Sequence, residues 1–324
     1  MLIVQKFGGS SLAGPERLRR AAALIARARQ RGDAVIAVVS AMGKSTDELL
    51  ALAHELDPSP PPRELDALLG TGEQQSAALL AITLDSLGES ARSLSGPQAG
   101  ILAVGAHGDG QIALLWPHRL LETISAERIA VVCGFQGLDS HGDLITLGRG
   151  GSDTSAVAIA AALRADRCEI YTDVDGIFTA DPRVLPEARY LPAVDYEDML
   201  RLAEAGAQVL HDRSVRMAME QSVEITLLSS ISGEGGSRVC RLPGAERPPF
   251  AGLTGRAETG VMTLVGRAAG AESLSRLVMA LCEQHLPVLD GAVGEGYLRV
   301  QLPPDKLIEG MRLCHRRFLA PDTE

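Results

Sequence analysis

Aromatic residues are scarce in this chain: they make up 3% of its 324 residues, whereas hydrophobic residues of all kinds make up 46%. A chain with this balance can build a sizeable core, but that core must be mainly aliphatic. Its length is sufficient for two domains.

Positive charge is also in short supply. Lysine and arginine number 31 against 41 aspartate and glutamate residues, which gives a formal net charge of −10. Proteins whose main partner is nucleic acid or an anionic membrane surface usually carry a basic face. We therefore expect neither partner, although grouped glycines and arginines can still bind an anion locally.

Signatures of metal sites and membrane segments are missing as well. The five cysteines are scattered, without a CxxC pair or a Cys/His cluster, so no zinc site is predicted. No apolar run approaches the roughly 18 residues of a membrane helix, and the N-terminus lacks a basic-then-apolar signal. These absences predict a soluble, cytoplasmic protein with reduced cysteines.

The first two-thirds of the chain alternates short buried strands with helices. Strands are predicted at Leu2–Phe7, Ala34–Ser40, Val131–Gly134, Cys168–Asp173 and Val223–Leu228. Helices are predicted at Pro15–Arg31, Thr46–Leu56, Glu64–Leu87 with a break near Gly70, and Glu197–Glu220 with a break near Gly206. This alternation predicts an α/β domain with a largely parallel sheet.

A change of composition separates the last part of the chain. Residues 231–250 are rich in glycine and proline and are predicted to form a linker or an edge hairpin. After them the predicted order is strand, helix, strand, strand, helix, at Met262–Gly266, Ser273–Gln284, Val288–Val293, Tyr297–Gln301 and Lys306–Phe318. We therefore predict two domains, residues 1–245 and residues 246–324, the second a small α+β domain.

The most distinctive motif is the glycine-rich turn TLGRGGSD at Thr146–Asp153, which precedes a predicted alanine-rich helix at Thr154–Leu163. Such a turn leaves backbone N–H groups unblocked at a helix start, where they favour an anion. Arg149 adds a planar fork that fits a carboxylate or a phosphate. Taken alone, the turn is equally compatible with an ordinary helix entry capped by Ser152 or Asp153.

Four further motifs keep a fixed order around this turn: IVQKFGGSS at residues 3–11, VVSAMGKSTD at 38–47, GEQQS at 72–76 and TDVDGIFTADPR at 172–183. In this order and spacing the chain resembles the aspartate kinases of the amino acid kinase family. The resemblance implies a three-layer αβα sandwich with a mainly parallel central sheet. It also makes the C-terminal pattern similar to a single ferredoxin-like ACT module, although no final strand is visible after Phe318.

The implied reaction transfers the γ-phosphoryl group of ATP, with Mg²⁺, to the side-chain carboxylate of L-aspartate. The product is 4-phospho-L-aspartate, the first step toward amino acids of the lysine, threonine and methionine type or toward a specialised product derived from aspartate. The accepting carboxylate has a reference pKa of about 3.9, so it is already ionised at pH 7 and needs no general base. The obstacle is repulsion between an anion and a polyanion, which cations, backbone N–H groups and Mg²⁺ must offset.

The resemblance also implies roles for individual residues. Lys6 neutralises charge on the transferred phosphoryl group, and Asp153 orients Lys6. Arg149 holds the α-carboxylate of aspartate, and Glu73 pairs with its α-ammonium. The remaining implied contacts are Ser40, Thr46 and Ser152 with the substrate, and Lys6, Gly8, Gly9, Ser10, Thr172, Asp173, Phe178, Asp181, Arg183 and Gln208 with the nucleotide. No residue is implied as a metal ligand.

Several of these residues also have purely structural interpretations. Lys6 could end a strand and face solvent, and Thr46 could cap a helix. Glu73 could stand at a helix start and serve only the helix dipole. Residues 173–176 could form a simple turn.

The chain departs from the family pattern in two places. Gln208 stands where the family usually has a lysine that contacts nucleotide phosphates. The C-terminal part has room for one ACT module where two are common, and the loop Arg267–Glu272 lacks the Asp-x-Pro-Gly type of sequence often seen at an effector site. We expect weak or absent feedback by lysine or threonine, and a homodimer or higher homo-oligomer formed through the ACT-like domain.

Other functions stay open at this point. A related kinase could act on another amino acid carboxylate, because Arg149 and Glu73 would read only the α-amino-acid end. A non-catalytic, amino-acid-sensing homologue is favoured by Gln208. It is opposed by the presence of Lys6, Arg149, Asp173 and Arg183. A carbamate- or nucleotide-type kinase is the most remote option.

Overall fold

The computed structural model describes residues 1–320, and the chain divides into two compact units. The first comprises Met1–Asp175 and Glu220–Gly236; the second comprises Gly176–Met219 and the residues from Ser237 onward. These units do not follow the predicted division at residue 245, because residues 176–219 and 237–245 group with the C-terminal part. Compact units and sequence modules need not coincide, so that division stays a prediction.

The strands are short, as expected for a chain of this type. They are β1 (Leu2–Phe7), β2 (Ala34–Val39), β3 (Ala91–Leu94), β4 (Ile101–Val104), β5 (Gln111–Leu115), β6 (Ile129–Cys133), β7 (Gln136–Leu138), β8 (Leu144–Thr146), β9 (Arg167–Thr172), β10 (Ile177–Phe178), β11 (Tyr190–Leu191), β12 (Ala193–Asp195), β13 (Ile225–Ser229), β14 (Ser237–Cys240), β15 (Gly252–Arg256), β16 (Val261–Val265), β17 (Asp290–Gly294) and β18 (Tyr297–Gln301).

The helices vary more in length. They are α1 (Gly9–Leu12), α2 (Pro15–Gln30), α3 (Ser45–Leu56), α4 (Pro62–Ser86), α5 (His118–Ser125), α6 (Gly151–Leu163), α7 (Tyr196–Glu204), α8 (Asp212–Gln221), α9 (Ala271–Glu283) and α10 (Leu307–Phe318), with a short 3₁₀ turn at Pro304–Lys306.

Helix α4 runs without interruption, so the predicted break near Gly70 is wrong. A Cβ atom on Gly70 would come within 2.9 Å of a Leu144 methyl carbon, and one on Gly72 within 2.8 Å of the Ala41 Cβ. Close packing against neighbouring segments, rather than a helix end, therefore explains both glycines.

The main sheet of the first unit has the strand order β13-β9-β1-β2-β6-β3, and these strands are parallel. Phe7 pairs with Val39 and with Tyr171, and Val39 pairs with Cys133. Strands β1, β2, β6 and β9 therefore end in one row, and the loops that follow them share one edge. In open α/β sheets the carboxyl edge is where ligands bind.

Helices cover both faces of this sheet, which confirms the predicted layered α/β fold. Helices α2 and α4 share an apolar cluster with one face, built around Phe7 and Val39. On the other face, α6 contacts β1 and β9 and also β5 and β7 of a smaller sheet with the order β5-β4-β7-β8. Residues 151–160 are consequently buried on every side of α6, which its small side chains allow.

The second unit contains the predicted small α+β domain. Strands β15, β16, β18 and β17 form an antiparallel sheet in that order, and α9 and α10 share an apolar cluster with it that includes Leu264, Leu281 and Met311. Strand β15, which the sequence did not predict, takes the edge beside β16 where the final strand of a ferredoxin-like fold would lie.

Residues 231–250 are not a hairpin or a plain linker. They contain β14, which pairs in parallel with β12. A parallel pair cannot be closed by a tight hairpin turn, which accounts for the wrong prediction. Across residues 1–320, no helix is both long and apolar enough to cross a membrane.

Candidate active site

The carboxyl edge of the main sheet brings together the loops that follow β1 and β2. A Cβ atom on Gly9 would lie 2.6 Å from the carbonyl oxygen of Ala41, and the Gly43 N–H donates to the Gly9 carbonyl at 2.9 Å. Position 9 therefore requires glycine for the two loops to touch. The motifs IVQKFGGSS and VVSAMGKSTD therefore meet here.

Lys6 faces this edge and not bulk solvent. Its Nζ atom lies 2.6 Å from Oδ1 of Asp153, and the two side chains are 12% and 9% exposed. A Cβ atom on Gly8 would come within 3.5 Å of the same Nζ atom, so glycine leaves space beside the ammonium. The contact between Lys6 and Asp153 that the resemblance implied is thus present.

Glu73 lies in the middle of α4, not at a helix start. It is 2% exposed, and its Oε1 atom accepts a hydrogen bond from the Ala41 N–H at 2.8 Å. Its Oε2 atom is buried without a hydrogen-bond partner among residues 1–320. Burial raises the pKa of this carboxyl group to about 7.

The arginine turn enters α6 through Gly150, which has a left-handed conformation with φ of 71° and makes no side-chain cap. Ser152 and Asp153 therefore lie inside the first helical turn and do not cap it. Arg149 is exposed, and no ion pair engages it within the described part of the chain. Its side chain is therefore accessible to solvent.

The hydroxyl residues predicted at the substrate pocket lie in different settings. Ser152 packs so tightly against Gly134 that a Cβ atom there would come within 2.7 Å of its own. Ser40 follows β2 and is half-buried. Thr46 is the second residue of α3, whose N-cap is Lys44 without a side-chain bond, so Thr46 does not cap that helix.

Two predicted nucleotide residues line one cavity of the first unit. Ser10 and Asp173 border it together with Ser11, Arg17 and Ser230, among others. The Thr172 hydroxyl donates to Asp173 at 3.2 Å, and its carbonyl oxygen accepts from the Ser230 N–H.

The remaining predicted nucleotide residues belong to the second unit. Arg183 donates from Nη2 to Oδ2 of Asp181 at 2.8 Å and from Nε to Oδ1 at 3.0 Å, and this contact lowers the pKa of Asp181. The Phe178 ring meets the Tyr190 ring edge-on, with centroids 5.8 Å apart. Gln208 is exposed in the segment between α7 and α8.

Sequence reasoning missed two residues that shape this region. Gly134 follows β6 at the same edge and makes room for Ser152. Asp66 is a buried carboxylate on α4, seven residues before Glu73. The predicted break in α4 hid the fact that these two acidic residues share a helix face.

Comparison with known proteins identifies the family. Residues 1–229 match the profile of the amino acid kinase family. The chain belongs to this family. Over 239 residues it is 52% identical to the aspartokinase of Mycolicibacterium smegmatis, an alignment that covers 74% of this chain and 57% of that protein. The amino acid kinase described here thus spans less than two-thirds of that relative's length.

Solved structures of amino acid kinases agree with the fold. The aspartate kinase of Synechocystis superposes with a TM-score of 0.67 at 35% identity, over 100% of this chain and 57% of its own. Aspartokinase III of E. coli, solved in complex with aspartate and ADP, gives a TM-score of 0.71 at 24% identity, over 93% and 78% of the two chains. At 24% identity, the second comparison supports the fold alone.

Proposed function

We propose that this amino acid kinase transfers the γ-phosphoryl group of ATP to the side-chain carboxylate of L-aspartate. The observation that carries the proposal is the buried, unpartnered Oε2 atom of Glu73. Leaving a buried acceptor unsatisfied costs about 1–3 kcal/mol, so a ligand donor is its natural partner. The 52% identity to an aspartokinase supports aspartate as that ligand.

The two ends of the substrate would be held by different parts of the site. The α-ammonium would donate to Glu73, and the Arg149 fork would bind the α-carboxylate in a two-point contact. Ser40, Thr46 and Ser152 would contact the rest of the molecule. The side-chain carboxylate, ionised at neutral pH, would be the nucleophile.

The nucleotide would lie against the loop after β1. A phosphate oxygen would lie beside Lys6 at Gly8, where no side chain intervenes, and Lys6 would stabilise the charge that shifts during transfer. Gly9, Ser10, Thr172, Asp173, Phe178, Asp181, Arg183 and Gln208 would complete the nucleotide contacts.

Mg²⁺ would offset charge on the ATP phosphates. Within residues 1–320 no group of three or more acidic, histidine or cysteine side chains could hold a metal ion by itself. The ion would therefore arrive with the nucleotide. We also propose that the ACT-like region joins copies of the chain into a dimer or a higher oligomer.

The direct test is a hydroxamate-trapping assay with ATP and Mg²⁺ across a panel of amino acids. We expect an acyl phosphate with L-aspartate and little with L-glutamate or L-asparagine. An acyl phosphate formed only with another amino acid would indicate a related kinase with a different substrate. If no amino acid gives a product but calorimetry detects amino acid binding, a non-catalytic homologue would be favoured.

A further inference from the structure

A second buried carboxylate lies on the same face of α4 as Glu73. Asp66 is seven residues before Glu73, which is two helical turns and about 10 Å along the axis. Asp66 and Glu73 are 1% and 2% exposed. Asp66 lies outside all five motifs, and neither the resemblance nor the comparisons give it a role.

Asp66 contacts two separate segments of the chain. Its Oδ2 atom accepts from the Thr146 N–H at 3.0 Å and from the Gly108 N–H at 3.0 Å, and it lies 2.8 Å from Nδ1 of His107. Its Oδ1 atom accepts from the Thr146 hydroxyl at 2.5 Å. A buried carboxylate bonded in this way fixes the segments that donate to it.

Thr146, which makes two of these bonds, belongs to the segment that continues into Arg149. Thr146 is the last residue of β8 and stands three residues before Arg149, at the start of the glycine-rich turn. A second bond holds the neighbouring strand to the same helix face: the Gln136 side chain donates to the Gly70 carbonyl at 2.9 Å, and Gln136 pairs with Thr146. The turn therefore begins from a point attached to α4.

We propose that Asp66 is a positioning residue that sets the separation between Glu73 and the Arg149 turn. The proposal rests on the proposed function, in which Glu73 and Arg149 hold the ammonium and carboxylate of one substrate molecule. Because both groups must reach the same small ligand, a shift of the turn relative to α4 weakens substrate binding more than nucleotide binding.

The sharpest variant is Asp66→Asn. An amide nitrogen cannot accept hydrogen bonds, so either the Thr146 and Gly108 N–H groups lose their acceptor or the Thr146 hydroxyl must turn to accept from the amide. In both arrangements the negative charge that strengthens these bonds is lost. We expect the KM for aspartate to rise about tenfold or more, while the KM for ATP changes less than about twofold. An equal rise in both KM values, or no rise in either, would overturn the proposal.

Asp143→Asn is the matched control. Asp143 also bonds to α4, through Nη2 of Arg63 at 2.5 Å, but its side chain is 33% exposed. We expect its KM values to stay within about twofold of the parent, because exposed ion pairs contribute little. A second pair of variants covers the case in which Asp66→Asn fails to fold. Thr146→Val should raise the KM for aspartate. Thr146→Ser keeps the hydroxyl and should leave this KM close to that of the parent.

Amide hydrogen exchange separates this proposal from the proposed function. Asp66→Asn should speed exchange across residues 144–150 and leave β1 and β2 unchanged, whether or not the chain phosphorylates aspartate. If Asp66→Asn exchanges faster but the parent protein has no kinase activity, the positioning role of Asp66 stands and the proposed function is rejected. If exchange in Asp66→Asn is unchanged while the parent is an active kinase, only the positioning role is rejected.

Discussion

The Lys6 ammonium and the Asp153 carboxylate, 2.6 Å apart, join the end of β1 to the first turn of α6. The pair is largely shielded from solvent, so its geometry is held and its attraction is screened little by salt. It holds the Lys6 ammonium at the carboxyl edge of the sheet, where the proposed function puts the transferred phosphoryl group.

Lys6→Ala should lower kcat by about 10²–10³, the scale found when one donor to a developing charge is removed. The change also leaves the Asp153 carboxylate buried without its partner, so the double variant Lys6→Ala, Asp153→Ala is the stability control. Steady-state kinetics with saturating aspartate and ATP measure the effect. A Lys6→Ala enzyme with normal kcat would remove Lys6 from the chemistry.

Arg149→Ala should act mainly on aspartate affinity. The arginine is exposed and bears no ion pair among residues 1–320, so its removal costs little folding stability. Loss of a two-point carboxylate contact should raise the KM for aspartate at least about tenfold. Arg149→Lys should recover only part of this, since an ammonium cannot make the paired contact. A fall in kcat at unchanged KM would contradict the role.

Aspartate binding should strengthen as pH rises from 6 to 8. The free carboxyl of Glu73 has a pKa of about 7 because burial disfavours its charged form, and only that form can pair with the substrate ammonium. A plot of kcat/KM for aspartate against pH should therefore rise and level off above about 7. Glu73→Gln should give low values without this inflection.

The same group makes an opposite prediction for stability without substrate. Folding raises its pKa from the ordinary value of 4.5 to about 7, so the folded state holds the proton more tightly than the unfolded state. The free energy of unfolding should fall as pH rises through that window, and Glu73→Gln should weaken the fall. Denaturant titrations at pH 5 and pH 8 compare the two proteins.

Gln208→Lys should raise kcat/KM for ATP by a few-fold to about thirtyfold. A charge-assisted hydrogen bond contributes about 1.5–3 kcal/mol, against about 1 for a neutral one. Gln208 is exposed, so the longer side chain fits without repacking. Unchanged or lower kcat/KM would mean that another cation already balances the phosphates or that residue 208 points elsewhere.

Lysine and threonine should inhibit weakly or not at all. Within residues 1–320 the sheet β15-β16-β18-β17 with α9 and α10 provides one ACT-like module, and the resemblance to aspartate kinases implies an effector site between two such modules. Titration of each amino acid into the kinase assay measures this. Strong inhibition at sub-millimolar concentration would show that one module suffices.

The sequence predicted the parts of the molecule that depend on local pattern. Apolar runs of strand length located β1, β2, β6 and β9, and glycine spacing located the edge loops. It failed where glycine acts through distant neighbours, as at Gly70 in α4. It also failed at β14, whose partner β12 is remote in sequence, and at β15, whose sequence GLTGR contains two glycines and shows no apolar run.

The residues of the candidate site likewise fall into those that local motifs predict and those that only the folded chain brings together. Lys6 and Arg149 stand in recognisable motifs, so residue type and spacing were enough to select them. Asp66 shows no such pattern: its importance depends on Thr146 and Gly108, which only the folded chain brings to it. The unpartnered Oε2 atom of Glu73 likewise cannot be recognised from the sequence, because it results from the burial of α4 in the folded chain.

The burial of all ten residues 151–160 in α6 has a consequence for how this protein tolerates change. An amphipathic helix can absorb a larger residue on its outer side, but here each added methyl group meets one sheet or the other. Substitutions such as Ala156→Val or Ala160→Val should therefore reduce activity by tilting the helix start that holds Asp153, although neither residue would touch a substrate. Random mutagenesis of this gene should find α6 among its least variable segments.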